Sequence, residues 1–173
     1  GLLNRRKFRE FTRDRHLVHY LALAEQAHPA LYGPEQRVWL DRLELEHDNL
    51  RQALGWFQES GQAEAAQRLG TALGLFWTVR GYLAEGRAFA EAVLALPDTR
   101  EVPETRERAL ESAGGIAYWQ GDTDAARVWY QETLDLARSR NDDRAEANAL
   151  YNLTFTFVWQ PEAQLEARRV AEE

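Results

Sequence analysis

The chain has 173 residues, 45% hydrophobic and 28% charged, with a formal net charge of −7; a globule of this length buries roughly 70% of its unfolded surface, which fits one domain or part of a longer array. No run of 18 apolar residues is present, excluding a membrane-spanning helix, and the apolar part of Gly1-Leu2-Leu3-Asn4-Arg5-Arg6-Lys7 is too short for a signal peptide. Cysteine is absent, which removes disulfides, thiol catalysis and zinc–thiolate sites together, and methionine is absent even at position 1, so the expectation is a cytoplasmic piece of a larger protein.

The opening is basic. Arg5, Arg6, Lys7, Arg9, Arg13 and Arg15 against Glu10 and Asp14 give residues 5–15 a net +4 and leave −11 for the rest. A nucleic-acid arm and a solvated first helix both fit this pattern; the acidic body beside it favours the second, because phosphate binding needs an extended basic surface. Direct nucleic-acid contact is therefore not expected.

Apolar spacing predicts about eight helices and no strand. The first, near 9–28, carries Leu17, Tyr20, Leu21 and Ala24 on one face and is expected to stop at Pro29 and Gly33-Pro34. A long second helix, 35–59, repeats Val38, Leu43, Leu50, Leu54 and Phe57 up to Ser60-Gly61. Helices at 63–80 and 82–96 form a hairpin, and residues 97–103 are the one real loop. Further helices fall at 104–120 and 123–140, then 143–159 and 162–172. Asp122, Asp124 and the Asp142-Asp143 pair sit where side-chain oxygens cap a helix or close a turn.

Gly74, Gly114 and Thr154 stand forty residues apart, each at the same point of a helical hairpin. The middle copy is clearest: Leu110, Ala113-Gly114, Ala117-Tyr118, Gln120-Gly121-Asp122, Ala126, Tyr130, Leu134. The copy before reads Gly70, Leu73-Gly74, Trp77, Gly81, Gly86, Leu94; the copy after reads Leu150, Leu153-Thr154, Phe157, Gln160-Pro161. A mid-helix glycine costs roughly 1 kcal/mol against alanine, so Gly70, Gly74, Gly114 and Gly115 require close packing or exposed backbone in compensation. Gly114 against Ala126 is the expected close contact. The organisation is thus an N-terminal segment, 1–61, leading into hairpins at 62–97, 103–141 and 143–173. The last departs from the pattern at Thr154 and in the one-residue offset of Leu165-Glu166-Ala167, as a cap or a cut array would.

The Gln120-to-Leu136 stretch resembles a tetratricopeptide repeat of the variant near forty residues. Leu43-Glu44-Leu45-Glu46-His47-Asp48-Asn49-Leu50-Arg51-Gln52-Ala53-Leu54 is similar to the segment that opens the repeats of bacterial multidomain signalling ATPases with an NB-ARC-type module. Tyr32-Gly33-Pro34-Glu35-Gln36, Trp39-Leu40 and Gly74…Trp77…Gly81 through Gly86 support the same likeness, which covers about residues 16–160. The resemblance implies an all-α, right-handed superhelix of antiparallel hairpins, a tetratricopeptide-like α-solenoid. It also implies a non-catalytic module that recognises a protein, peptide or small effector, or other domains of its own chain, and signals to an attached ATPase or DNA-binding switch. No cofactor is implied here: Lys7, the single lysine, follows no Gly-rich loop, so no phosphate-cradling motif is possible.

In stacked hairpins the first helix of each pair lines the concave side. That places Arg68, Thr71, Leu75 and Thr78 of the first copy beside Arg108, Glu111, Tyr118 and Trp119 of the second. Asn148, Tyr151, Phe155 and Trp159 of the third complete the candidate surface. Aromatics beside Arg and Asn suit a binding face, although Trp119, Phe155 and Trp159 could instead pack on the next helix; Arg108, Tyr118 and Asn148 are expected to be exposed. Trp39, Trp56, Trp77 and Trp129 are assigned to packing.

Chemistry of other kinds has thin support. Glu25/His28 and Glu44/His47 have the Glu-x-x-His spacing of di-iron bundles, but His28 abuts Pro29 at a helix end and suits a C-terminal dipole. His16 and His19 lack a third ligand, so no metal site is expected. Ser60, Ser112 and Ser139 have no neighbouring histidine base, and no carboxylate stands out as forced into an apolar cleft. The reading is a binding module without catalytic residues; a free-standing peptide-docking scaffold and a metal-dependent helical enzyme are the alternatives.

Overall fold

The computed structural model describes residues 2–96 and 102–157, with residues 2–12 as backbone only. Among them are eight α-helices and no strand: α1 (Leu2–Ala30), α2 (Gln36–Leu45), α3 (His47–Glu59), α4 (Ala63–Arg80), α5 (Leu83–Leu94), α6 (Pro103–Trp119), α7 (Thr123–Ser139) and α8 (Asp143–Phe157). The all-α class is as expected, but the eight are a different set. The 35–59 helix is two helices, while the 162–172 helix, Trp159, Gln160-Pro161, the 165–167 offset and loop residues 97–101 lie outside the described residues.

The break in the second helix centres on Glu46. Its N–H turns to the Leu43 carbonyl at 3.2 Å, and its carboxylate accepts from the Tyr20 hydroxyl and Asn49 Nδ2, both at 2.8 Å. Leu43 and Leu50 on either side are both fully buried, so apolar spacing runs straight through the turn. Pro29 does not stop α1 either. It sits in the last turn, where only its own missing N–H is lost, and Leu31 N–H still reaches Ala27 O at 3.0 Å.

Four helix ends share one device. Gly61, Gly81, Gly121 and Asn141 have φ of 69°, 82°, 81° and 54°. In each case the next N–H reaches back to the carbonyl five residues earlier: Gln62 to Phe57, Tyr82 to Trp77, Asp122 to Ala117 and Asp142 to Ala137, at 2.9 to 3.1 Å. This is the left-handed C-terminal cap that satisfies the last helical carbonyls. These turns fall at multiples of twenty residues, half the repeat. Asp122 and Asp142 then cap α7 and α8, accepting from Ala125 and Ala145 N–H at 3.0 Å. Asp124 does not cap; it pairs with Arg127.

One core runs from Leu17 through Trp77 to Ile116, joining α1 to α6, and a smaller one gathers Ala117, Ala126, Tyr130, Leu134, Ala149 and Leu153. Helices α4 and α6 meet at Gly74, where a Cβ would lie 2.1 Å from Ser112 Oγ and 3.2 Å from its Cβ. Gly114 lies under the Tyr130 ring, within 2.5 Å of a would-be Cβ, so the close partner is the residue one turn beyond Ala126. Trp77 is buried, whereas Trp56, Trp39 and Trp129 pack half-buried with Arg13, Arg42 and Arg87 over their rings at 5.0, 4.8 and 5.6 Å. No helix among the described residues is long and apolar enough to cross a membrane.

Candidate functional site

The first helices of the hairpins present their open faces to one groove. Thr71, Leu75 and Thr78 of α4 face Arg108, Glu111 and Trp119 of α6 across a cavity of about 410 Å³. Arg68 and Thr71 continue it into a second cavity of about 590 Å³, and Glu111 and Asn148 into a third of about 560 Å³ between α6 and α8. Arg108 lines all three. At the far end, Trp119, Tyr118, Phe155 and Tyr151 form a run of rings with centroids 5.8, 6.1 and 5.0 Å apart.

Exposure settles which aromatics are core. Among the described residues Trp119 is 66% exposed, Tyr151 62% and Phe155 37%, so Trp119 does not pack between α6 and α8. Tyr118 is the correction: it is half-buried, leaning on the second core beside Ala125 and Trp129. Arg108 and Asn148 are exposed as expected. Trp159 lies outside the described residues.

The α1 end of the groove was missed. Glu25, His28 and Tyr32 line it, Tyr32 being 69% exposed with its ring 5.5 Å from that of His28. Nothing in the repeat pattern signals them, because α1 precedes the first copy. His28 sits in the last turn of α1, and its Nδ1 is buried without a partner, as are Thr71 Oγ1 and Ser112 Oγ. Those three unpartnered polar atoms all belong to residues of the same cavity wall.

The charges in the groove are unevenly tied. Arg68 pairs with Glu25 at 2.6 Å. Asn148 Nδ2 donates to Glu111 Oε1 at 2.5 Å, and Arg140 holds Glu107 at 2.7 Å. Burial pushes both Glu107 and Glu111 above the usual carboxylate range, against the pull of Arg140 on one and of Asn148 and Arg108 on the other. Such strained carboxylates were not legible in the sequence. Burial, then the charge of Glu111, lifts Tyr130 to about 12. Arg108, by contrast, makes no hydrogen bond or ion pair among the described residues.

The two Glu-x-x-His pairs are engaged separately. Glu25 holds Arg68, while Glu44 accepts from Tyr82 Oη–H at 2.5 Å. His47 Nε2 lies 2.9 Å from Glu85, which also takes Trp77 Nε1–H at 3.3 Å and pairs with Arg51 at 3.0 Å. The Glu44-to-Arg51 segment therefore clasps α2 and α3 to α4 and α5. No three His, Asp or Glu side chains among the described residues gather as metal ligands.

No protein-family model matches the chain. It is 31% identical over 144 residues to proteins of Mycobacterium bovis and of two strains of Mycobacterium tuberculosis, each named a putative HTH-type transcriptional regulator. The alignments cover 79% of this chain but 16% of each relative, so the chain spans about a sixth of their length.

Proposed function

We propose that this chain is a non-catalytic, tetratricopeptide-like receptor module that takes a protein, peptide or small effector in the α4–α6–α8 groove. Occupancy is passed to a DNA-binding or nucleotide-hydrolysing switch in a longer regulator. The observation that carries this reading is the groove itself: three adjoining cavities share Arg108, and Trp119 stands exposed at the end of the first. Likeness to proteins named as transcriptional regulators supports the regulatory half. The strained carboxylates do not favour an enzyme, since Glu107 is closed by Arg140 and Glu111 by Asn148.

Gly115 supplies the test. A Cβ there would meet only the Tyr130 hydroxyl, at 3.8 Å, so the backbone accepts a side chain at this point and Gly115→Leu projects one into the cavity that Gly115 lines. In the parent gene this substitution should change the same transcripts as deletion of the region. Val128→Glu on exposed α7 should change none. An unaltered transcript profile in a Gly115→Leu strain with normal protein level would exclude the groove as the receptor site.

A further inference from the structure

The junction of α2 and α3 is built unlike the other turns. Gly61, Gly81, Gly121 and Asn141 each close a helix in the left-handed region. Glu46 instead has φ −99° and ψ 6°, and no side-chain hydrogen bond caps the start of α3. No glycine or proline stands between Gln36 and Leu54, and the apolar positions keep helical spacing across the break. The local sequence therefore favours one helix from Gln36 to Glu59. What breaks it is tertiary: the Tyr20 hydroxyl of α1 donates to Glu46 at 2.8 Å, while Arg80 and Tyr82 hold Asp41 and Glu44 of α2.

Straightening the junction within one chain would swing α2, and α1 with it, away from α3 and α4. Both halves of one core would then meet water: Leu17, Ala24 and Leu43 on one side, Leu54, Phe57 and Leu73 on the other, all buried. A second copy removes that cost, because its own α3 and α4 offer the same surface. The polar contacts that tie α1 and α2 to the body, Arg13 with Glu59, Glu25 with Arg68, Asp41 with Arg80 and Glu44 with Tyr82, would re-form between chains. The balance then rests on the junction, where the Glu46 contacts oppose the carbonyl partners that a continuous helix gives to the first N–H groups of α3.

We propose that two copies of this chain exchange α1 and α2 about Glu46, each seating them on the partner's α3 and α4 while residues 36–59 become one helix. The surface beside the break fits a second copy. Leu45, immediately before Glu46, is 86% exposed, and Val38, two turns back on the same face, is 67% exposed. A two-fold exchange sets the two junctions side by side, so these apolar side chains gain cover there. The exchange is independent of what the groove binds.

The test uses the 173-residue chain, unfolded in urea, refolded at high concentration and resolved by size-exclusion chromatography with light scattering. The native chain is expected to give a minor dimer peak. Glu46→Leu removes the Tyr20 contact and adds an apolar side chain to the Leu43–Leu50 stripe, so it should raise the dimer fraction about tenfold. Tyr20→Phe is the milder change; it should raise the fraction several-fold and stands in where Glu46→Leu fails to fold by circular dichroism. Asp48→Pro should abolish the dimer, because position 48 lies in the first turn of α3, where proline is tolerated, but in the interior of a continuous helix. Absence of cysteine lets one introduced pair report which chain holds α1. With Arg13→Cys and Glu59→Cys, a short bismaleimide should join two chains in the dimer peak and close within one chain in the monomer peak, read on a denaturing gel. No dimer from the native chain, a fraction unmoved by the folded latch variants, or a dimer undiminished by Asp48→Pro overturns the proposal. So does a dimer peak whose cross-link stays within one chain, which would make it a side-by-side pair.

Discussion

At Glu111, burial opposes ionisation more than Asn148 and Arg108 assist it, leaving the folded-state pKa above the unfolded one. An acid raised in this way favours the fold while protonated, and that contribution is lost as pH rises through the usual carboxylate range toward the folded value. Glu111→Gln keeps an acceptor for Asn148 and removes the charge. Its melting temperature is expected to exceed that of the parent at pH 7 and to converge with it near pH 4, in a thermal melt series. A parent less stable at pH 4 relative to the variant than at pH 7 would contradict the assignment. Asn141 is the other informative single residue, as the non-glycine member of the left-handed turns. Asn141→Gly should be neutral or stabilising by a few tenths of a kcal/mol, and Asn141→Val should cost about 1–2 kcal/mol in urea unfolding. Neither residue announced its role in the sequence. The carboxylate depends on packing from α8, and an Asn-Asp-Asp run reads equally as any polar turn.

Between elements, glycines that look alike in the sequence do opposite things. Gly74 marks where α4 and α6 touch, and its would-be Cβ collides with Ser112. Gly115 faces the open trough. Gly74→Ala should therefore destabilise by about 1–3 kcal/mol through overpacking, and Ser112→Gly in the same chain should recover part of the loss. Gly115→Ala should stabilise by about 0.5–1 kcal/mol. Denaturant midpoints of the three variants decide both. The forty-residue period was legible because hairpin turns and close contacts recur in register. The break at Glu46 was not, because what holds it is the Tyr20 hydroxyl, twenty-six residues away in the chain. A repeat identifies its own copies and is silent about the helix that flanks them, so the part α1 plays in the groove has no signal in the sequence.

For the whole molecule, two cores set how the structure opens. The larger ties α1 through α6 together, whereas the smaller holds α7 and α8 on Ala117, Ala126, Tyr130, Leu134, Ala149 and Leu153. Stacked hairpins gain stability from nearest neighbours, and the α7–α8 end draws its share from α6, where the Tyr130 ring seats on Gly114. A polar bridge adds to that contact: Arg87 of α5 pairs at 2.7 Å with Asp122, the residue that caps α7, and the Ala125 N–H bond with that bridge holds the Asp122 carboxyl below its usual range. Asp122→Ala removes cap and bridge together, the cap alone costing about 1 kcal/mol, and hydrogen exchange should show the lost protection confined to α7 and α8. Uniform exchange across α3 to α8 would mean a single cooperative unit. The groove crosses this boundary, with Arg108 and Glu111 on α6 facing Asn148 on α8. A ligand that bridges it should slow exchange in α8 most, which is how an occupant of the groove would change the end of the array without moving its middle.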